Sequence, residues 1–235
     1  MSTPELDAKI LLKEALQEKN YNFIISNAKI PMSAEIRFKK MVNKRSLGKP
    51  VSRIVSKRSF WNSDFFINSF TLDPRSDSET LVSSTIKMAK TINSSPLQIL
   101  DLGTGSGCLI LSLLQSLPDS KGVGSDINSE SLKVAQKNAS NLKLDGKVKF
   151  ILSDWGKNID SKFDIIISNP PYIKSSEIKN LQKEVKNYDP IISLDGGSDG
   201  LFAYYEIGKN LSKLIKPKGL VLLEIGYLQE IEVID

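Results

Sequence analysis

The segment Leu97–Leu117, LQILDLGTGSGCLILSLLQSL, carries the decision about the fold. Its first residues form an apolar run short enough for one strand, and its last ten are apolar over a helical length. Between them lies Gly103-Thr104-Gly105-Ser106-Gly107, a turn whose glycines let backbone approach a ligand at the end of a strand. The same alternation continues downstream. KGVGSDI reads as a second strand, SESLKVAQKNASNLK as a helix capped by Asn128, and VKFIL and FDIIIS as further strands. A helix near Leu201–Ile215 then precedes the strand GLVLLEI. Strand–helix alternation predicts an α/β protein with a mostly parallel sheet and helices on both faces.

Upstream the pattern differs. Thr3-Pro4 is read as a cap followed by proline at the first helical position, with Leu6, Ile10, Leu11 and Ala15 at helical spacing. Pro31 breaks that run, Ser33 is expected to cap again, and Phe38, Met41 and Val42 mark a second amphipathic helix. From Ser59 to Leu72, aromatic and β-branched residues suggest a hairpin. Ser76-Asp77-Ser78-Glu79 has the form of a capping box opening a helix through Leu81, Val82, Ile86 and Ala89. These signals divide the chain into a helical docking domain (1–58), a β-hairpin linker (59–73) and an α/β domain (74–235). The closing YLQEIEVID reads as the beginning of a helix.

Composition narrows the chemistry. The chain has 235 residues, one cysteine (Cys108) and no histidine. Histidine acid–base catalysis, Ser-His triads and histidine-ligated metals are thereby excluded, and no intrachain disulfide can form. No metal, signal peptide or membrane span is expected, and the cysteine usage suits a reducing, cytoplasmic setting. Nine of the 32 basic residues lie between Arg37 and Arg58 without a single acid, while the other 23 face 27 acids. Such a run is either a solvated helix face or a docking surface.

Several strand ends converge on one ligand type. The turn is G-x-G-x-G, not the G-x-G-x-x-G of pyrophosphate binders. Asp126 ends the second strand, where a carboxylate can accept both hydroxyls of a ribose. Asp154-Trp155 ends the third, where a flat aromatic can meet an adenine. This is a nucleoside site with no evident phosphate anchor, a description that S-adenosylmethionine fits.

The fourth strand ends in Ser168-Asn169-Pro170-Pro171-Tyr172. An amide or exocyclic nitrogen is a poor nucleophile, so a methyl-transfer site must aim it and grip its N–H bonds. Asn169 offers a side-chain carbonyl, Pro170 a backbone carbonyl without an N–H, Pro171 stiffness and Tyr172 a wall. A rigid turn closing the strand is the alternative, and the motif leaves nucleic-acid base amines and side-chain amides both open.

Taken jointly, Asp101-x-Gly103-x-Gly105, Asp126, Asp154 and the polar loop after the fourth strand resemble the Rossmann-like S-adenosylmethionine-dependent methyltransferases. The segments ELDAKILLKEAL, GKPVSRIVSKRSFW, TLDPRSDSETLV, SDW, NPPYI, YDPIISLDGGSDGL and LLEIGYLQ resemble, in order, the release factor glutamine methyltransferases. That resemblance implies methyl transfer from S-adenosylmethionine to the glutamine amide (N5) of the Gly-Gly-Gln loop of class 1 peptide chain release factors. It implies a monomer that needs no direct nucleic-acid binding. Gly103, Thr104, Gly105, Ser106, Gly107, Asp126, Asp154, Trp155 and Asn169 would hold the cofactor; Asn169 to Tyr172, with Arg75 and Glu79, would hold the glutamine. Asn169 and Pro170 would be the catalytic pair. Ser76 replaces a proline common in that signature, and Arg53 stands where relatives carry an aromatic or aliphatic residue. Part of a first helix and the closing antiparallel strands are also expected to be missing from this chain. The competing readings are a tRNA, rRNA or DNA exocyclic-amine methyltransferase with the basic run as its footprint, and an inactive fragment.

Overall fold

The computed structural model describes residues 4–17, 30–92 and 95–234. The cap expected at Thr3 lies outside them. Helices α1 (Pro4–Leu16), α2 (Met32–Ser46) and α3 (Val51–Val55) precede a hairpin of β1 (Lys57–Phe60) and β2 (Ser63–Phe66). There follow α4 (Glu79–Ala89), β3 (Gln98–Leu102), α5 (Cys108–Ser116), β4 (Lys121–Asp126), α6 (Ser129–Asn141), β5 (Val148–Leu152) and β6 (Phe163–Ser168). The chain ends with α7 (Lys183–Tyr188), α8 (Phe202–Leu214), β7 (Ile215–Leu223) and α9 (Glu230–Ile234). Among the described residues no helix is long and apolar enough to cross a membrane.

Strands β3 to β7 form one sheet in the order β5-β4-β3-β6-β7, with every pair parallel. The chain builds outward from β3 through β4 to β5, then returns to the other side of β3 for β6. That reversal opens a crevice at the carboxyl ends of the central strands, the usual ligand position in such sheets. Both faces are covered, which explains the unbroken apolar strands. In β6 the alternation is visible residue by residue: Ile165 and Ile167 join the core with α4, α5 and the hairpin, while Ile166 joins the opposite core with Ile207 and Leu214 of α8. All three isoleucines are fully buried, each contributing about 1.5–3 kcal/mol over exposure.

The hairpin is a strut on that layer. Phe60 and Phe65 pack edge to face, 6.2 Å between centroids, inside the larger core. It starts at Lys57, two residues before the aromatic pattern does, and residues after Phe66 run as a loop instead of continuing as strand. Asn138 of α6 ties it down, accepting from the Phe66 N–H (2.8 Å) and donating to the carbonyls of Phe66 and Ser106.

Two local expectations fail for identifiable reasons. Helix α2 begins at Met32 after Pro31, so Ser33 lies inside it and caps nothing. Ser76–Ser78 form a 3-10 turn leading into α4, without any side-chain cap; Glu79 is instead drawn to the hairpin, where its Oε1 accepts from the Trp61 N–H at 2.8 Å. The basic run is not a uniform free surface either. Arg45 bridges Asp7 (2.7 Å) and Glu184 (2.6 Å), Arg37 donates to the Ala15 carbonyl, and Arg53 is buried against Asp189. Asp7, Glu184 and Asp189 come from distant segments, so a local count of charge could not find them, whereas Lys39 pairs with Glu35 one turn away.

Candidate functional site

A cavity of about 350 Å³ opens at the carboxyl ends of β3, β4, β5 and β6. Its floor is the glycine turn. Gly107 stands at φ +79°, and an added Cβ there would come within 3.2 Å of Leu111 and Ala135, so only glycine lets the turn enter α5 unstrained. Gly103 lies under the Trp155 ring, which a Cβ would meet at 3.6 Å. The Gly105 N–H donates to Asp126 Oδ2 and the Asn128 N–H to Oδ1, both at 2.9 Å. These bonds hold the Asp126 carboxylate at the rim, and each oxygen keeps lone pairs for further donors. Burial raises its pKa.

The loop after the hairpin forms the roof, contributing Phe70, Thr71, Leu72, Pro74 and Arg75. Ser131 fastens it through the Phe70 carbonyl (2.8 Å), and Arg53 of α3 through those of Asn68 and Thr71. Asp189 then joins the helical segment to the cavity, for its two carboxylate oxygens accept from Arg53 and Arg75 respectively. Arg53 is thus a buried structural clamp. Arg75, by contrast, keeps a third of its side chain exposed beside the cavity.

Asn169 and Pro171 supply the wall opposite the glycine turn, with Ile192, Ser193, Asp195 and Phe202 beyond them. The 191–202 loop is held by backbone contact. Gly196 donates to the Ile173 carbonyl at 2.8 Å, and a Cβ on it would lie 2.8 Å from the Pro171 carbonyl oxygen. Asn169 donates from Nδ2 to Ser78 Oγ at 2.9 Å.

The cavity therefore brings together Gly103, Thr104, Gly105, Ser106, Asp126, Asp154, Trp155, Asn169, Pro171 and Arg75. Four expected residues are not in its lining. Gly107 is below it as the helix cap, Glu79 belongs to the hairpin, and Pro170 is buried behind the loop. Tyr172 turns into a second cavity with Ile173 and Tyr227, its hydroxyl 3.4 Å from Glu224 Oε1. Phe70, Thr71, Leu72, Ser78 and Phe202 also line the first cavity, and none carries a local pattern that marks it as a site.

Charge around the cavity discriminates among nucleoside ligands. Among the described residues, Asp126, Asp154 and Asp195 line it against one cation, Arg75, and no lysine. A dinucleotide's phosphates would meet net negative charge, whereas a sulfonium with an amino-acid tail fits it. Cys108 also lines the cavity, but burial pushes its thiol up to about 12, so it stays protonated and is no nucleophile.

Below the glycine turn, Asp101 is fully buried, with Thr104 donating to Oδ2 at 2.6 Å and the Ile110 N–H of α5 directed at the carboxylate. Burial pushes its pKa from 3.8 up to about 7. The folded state keeps this proton to higher pH than the unfolded chain does, so stability falls as pH rises between those values. The slope is up to about 1.4 kcal/mol per pH unit. Asp101→Asn is expected to flatten that part of the profile, measured as urea midpoints from pH 5 to pH 8. Identical slopes in the two proteins would rule it out.

The Methyltransferase domain family matches residues 93–230, which span this sheet and the cavity apart from its roof and Ser78. The fold and site thus define a methyltransferase domain. A protein of Agrobacterium fabrum named release factor glutamine methyltransferase is 36% identical, over 99% of this chain and 82% of its own. Its namesake in Rhodospirillum rubrum is 37% identical over 95% and 68%. A bifunctional methyltransferase of Rickettsia conorii is 34% identical over 98% of this chain and 48% of its own. The chain belongs to the release factor glutamine methyltransferase family.

Proposed function

We propose that this protein transfers a methyl group from S-adenosylmethionine to the side-chain amide nitrogen of the glutamine in the Gly-Gly-Gln loop of class 1 peptide chain release factors. The observation that carries the reading is the placement of Asn169 on the same cavity as the glycine turn and Asp126. The names of the full-length relatives support the choice of release factor over nucleic acid.

Asp126 would hold the ribose hydroxyls, Trp155 and Gly103 the adenine region, and Thr104 to Ser106 the remainder of the cofactor. When bound, the cofactor supplies an electrophilic methyl carbon on a sulfonium. The protein's part is to aim the nucleophile. Asn169 Oδ1, on the cavity wall, accepts an amide N–H bond, which orients the NH₂ group and favours localising its lone pair, and Pro170, outside the lining, stiffens the loop that carries it. The roof loop and Ile192 exclude water. The amide nitrogen becomes acidic as it forms its new bond, so its proton is lost to solvent once the methylated side chain leaves the cavity, without a strong base; this agrees with a chain lacking histidine. The helical segment 1–58, hairpin and α/β domain would act as docking arm, linker and catalytic body.

The test is incorporation of labelled methyl in separate incubations with release factor, tRNA and rRNA. Label in release factor alone is expected. Label in either RNA and none in the factor would refute the reading.

A further inference from the structure

Asp189 does not line the main cavity, but the segment it leads into does, through Ile192, Ser193 and Asp195. It closes α7, its N–H donating to the Val185 carbonyl at 2.9 Å. A buried carboxylate at the C-terminal end of a helix is unfavourable unless cations hold it. Oδ1 accepts from Arg53 and, at 3.3 Å, from the Asp73 N–H, while Oδ2 accepts from Arg75. Arg53 is itself buried and already balances the charge of Asp189, so neutrality does not require Arg75. Arg58 stands beside Asp73, which makes three guanidiniums against two carboxylates, and of the three only Arg75 lines the cavity. Among the described residues the Arg75 guanidinium makes no hydrogen bond besides the one to Asp189, which leaves most of its N–H donors open to a ligand.

We infer that Asp189 is a positioning residue: it ties Arg75 of the roof to the 191–195 wall, so that the guanidinium takes a backbone carbonyl of the release factor loop. The inference rests on the proposed reaction and deepens it. A glutamine side chain has to pass between roof and wall to reach Asn169, and the backbone that carries it stays at the mouth. Two glycines precede that glutamine, and no side chain shields their carbonyls from a guanidinium. The amide oxygen of the glutamine itself is the wrong partner. A cation on it would draw the nitrogen lone pair into the carbonyl and weaken the nucleophile. The planar fork of an arginine can keep one nitrogen on Asp189 while the others reach the loop, which a lysine ammonium cannot do as well. Asp189 thus has a task in the reaction although it touches neither substrate nor cofactor.

The test is a cycle of variants read in KM for release factor, in cofactor affinity by calorimetry and in urea midpoint. Arg75→Gln is expected to raise KM about tenfold or more, with a smaller change in kcat and cofactor affinity within about twofold. Asp189→Asn keeps the shape of the side chain and is expected to raise KM by a similar factor. In the Arg75→Gln background it is expected to add little to KM, because it acts through Arg75. Its lowering of the urea midpoint comes mainly from Arg53 and is expected in both backgrounds; a merely structural residue would show no such difference between the two readouts. Asp189→Asn leaves Arg53 buried without a counter-charge, so the same step is also made on Arg53→Met, where it is again expected to raise KM about tenfold. One arm needs no substrate. The order parameter of the Arg75 Nε–H is expected to be close to that of rigid backbone in the wild type and below about 0.6 once Asp189→Asn is introduced. An unchanged order parameter overturns the inference. So does a KM effect of Asp189→Asn that persists in full in the Arg75→Gln background. A loss of cofactor affinity in Arg75→Gln as large as its effect on KM would place Arg75 on the cofactor's carboxylate and also overturn it. Absence of methylation by the wild type would instead refute the proposed function, while the order parameter would still decide whether Asp189 holds Arg75.

Discussion

Asn169→Ala is expected to lower kcat on release factor by about a hundredfold or more, as loss of one oriented catalytic hydrogen bond is worth roughly 2–4 kcal/mol. The affinity for the methyl donor should change far less, since Asp126 and the glycine turn remain. Asn169→Asp keeps one acceptor in place and should retain more activity than the alanine variant, though less than the wild type. The loop is held on both sides, by β6 pairing with β7 through Ser168 and by the Gly196 backbone contact, so neither change should unfold the protein. Circular dichroism and an unaltered urea midpoint would establish that. A folded Asn169→Ala enzyme working at the wild-type rate would reduce the NPPY sequence to a turn.

The second large effect is on stability. Arg53 and Asp189 are both almost completely buried, 5% and 3% of their side chains exposed, and Arg53 also donates to two roof carbonyls. Arg53→Ala leaves Asp189 buried with Arg75 as its remaining cation and removes a donor from each of those carbonyls. Removing one member of a buried ion pair is strongly destabilising because the other charge stays desolvated. A loss of about 3 kcal/mol in unfolding free energy is expected, read from urea unfolding. Arg53→Lys should recover part of it, keeping the charge but not the planar fork. The alanine variant should also loosen Arg75 and the roof, raising KM more than it changes the cofactor's affinity. A destabilisation under about 1 kcal/mol would mean that Arg53 is a bystander.

What could be read from the sequence is what local chemistry dictates. The unbroken isoleucines of β6 required cover on both faces. The G-x-G-x-G turn required a strand before it and a helix after it, and carboxylates at strand ends had to meet at the crevice of a parallel sheet. Asn128 at the start of α6 accepts from the Glu130 N–H as its type and position suggested. The misses share a different physics. Arg53 pairs with Asp189 across 136 positions and Asp73 with the same residue across 116. No periodicity records such a partnership. Ser76-x-x-Glu79 has the spacing of a capping box, but the Trp61 N–H at the hairpin turn took Glu79 for a tertiary bond. Tyr172 follows two prolines that set its direction, and its ring turns to Glu224 and the second cavity instead of the first. Ser78 accepts from Asn169 across 91 positions, a contact that no local pattern records.

The most direct test of the account is to locate the transferred methyl group. Wild-type protein incubated with S-adenosylmethionine and intact release factor, followed by proteolysis and tandem mass spectrometry, should place one methyl on the side-chain nitrogen of the Gly-Gly-Gln glutamine and on no other residue. A release factor carrying alanine at that glutamine should gain none. An unmethylated glutamine in the presence of demonstrably bound cofactor, or a methyl group on any other site of the factor, would contradict it.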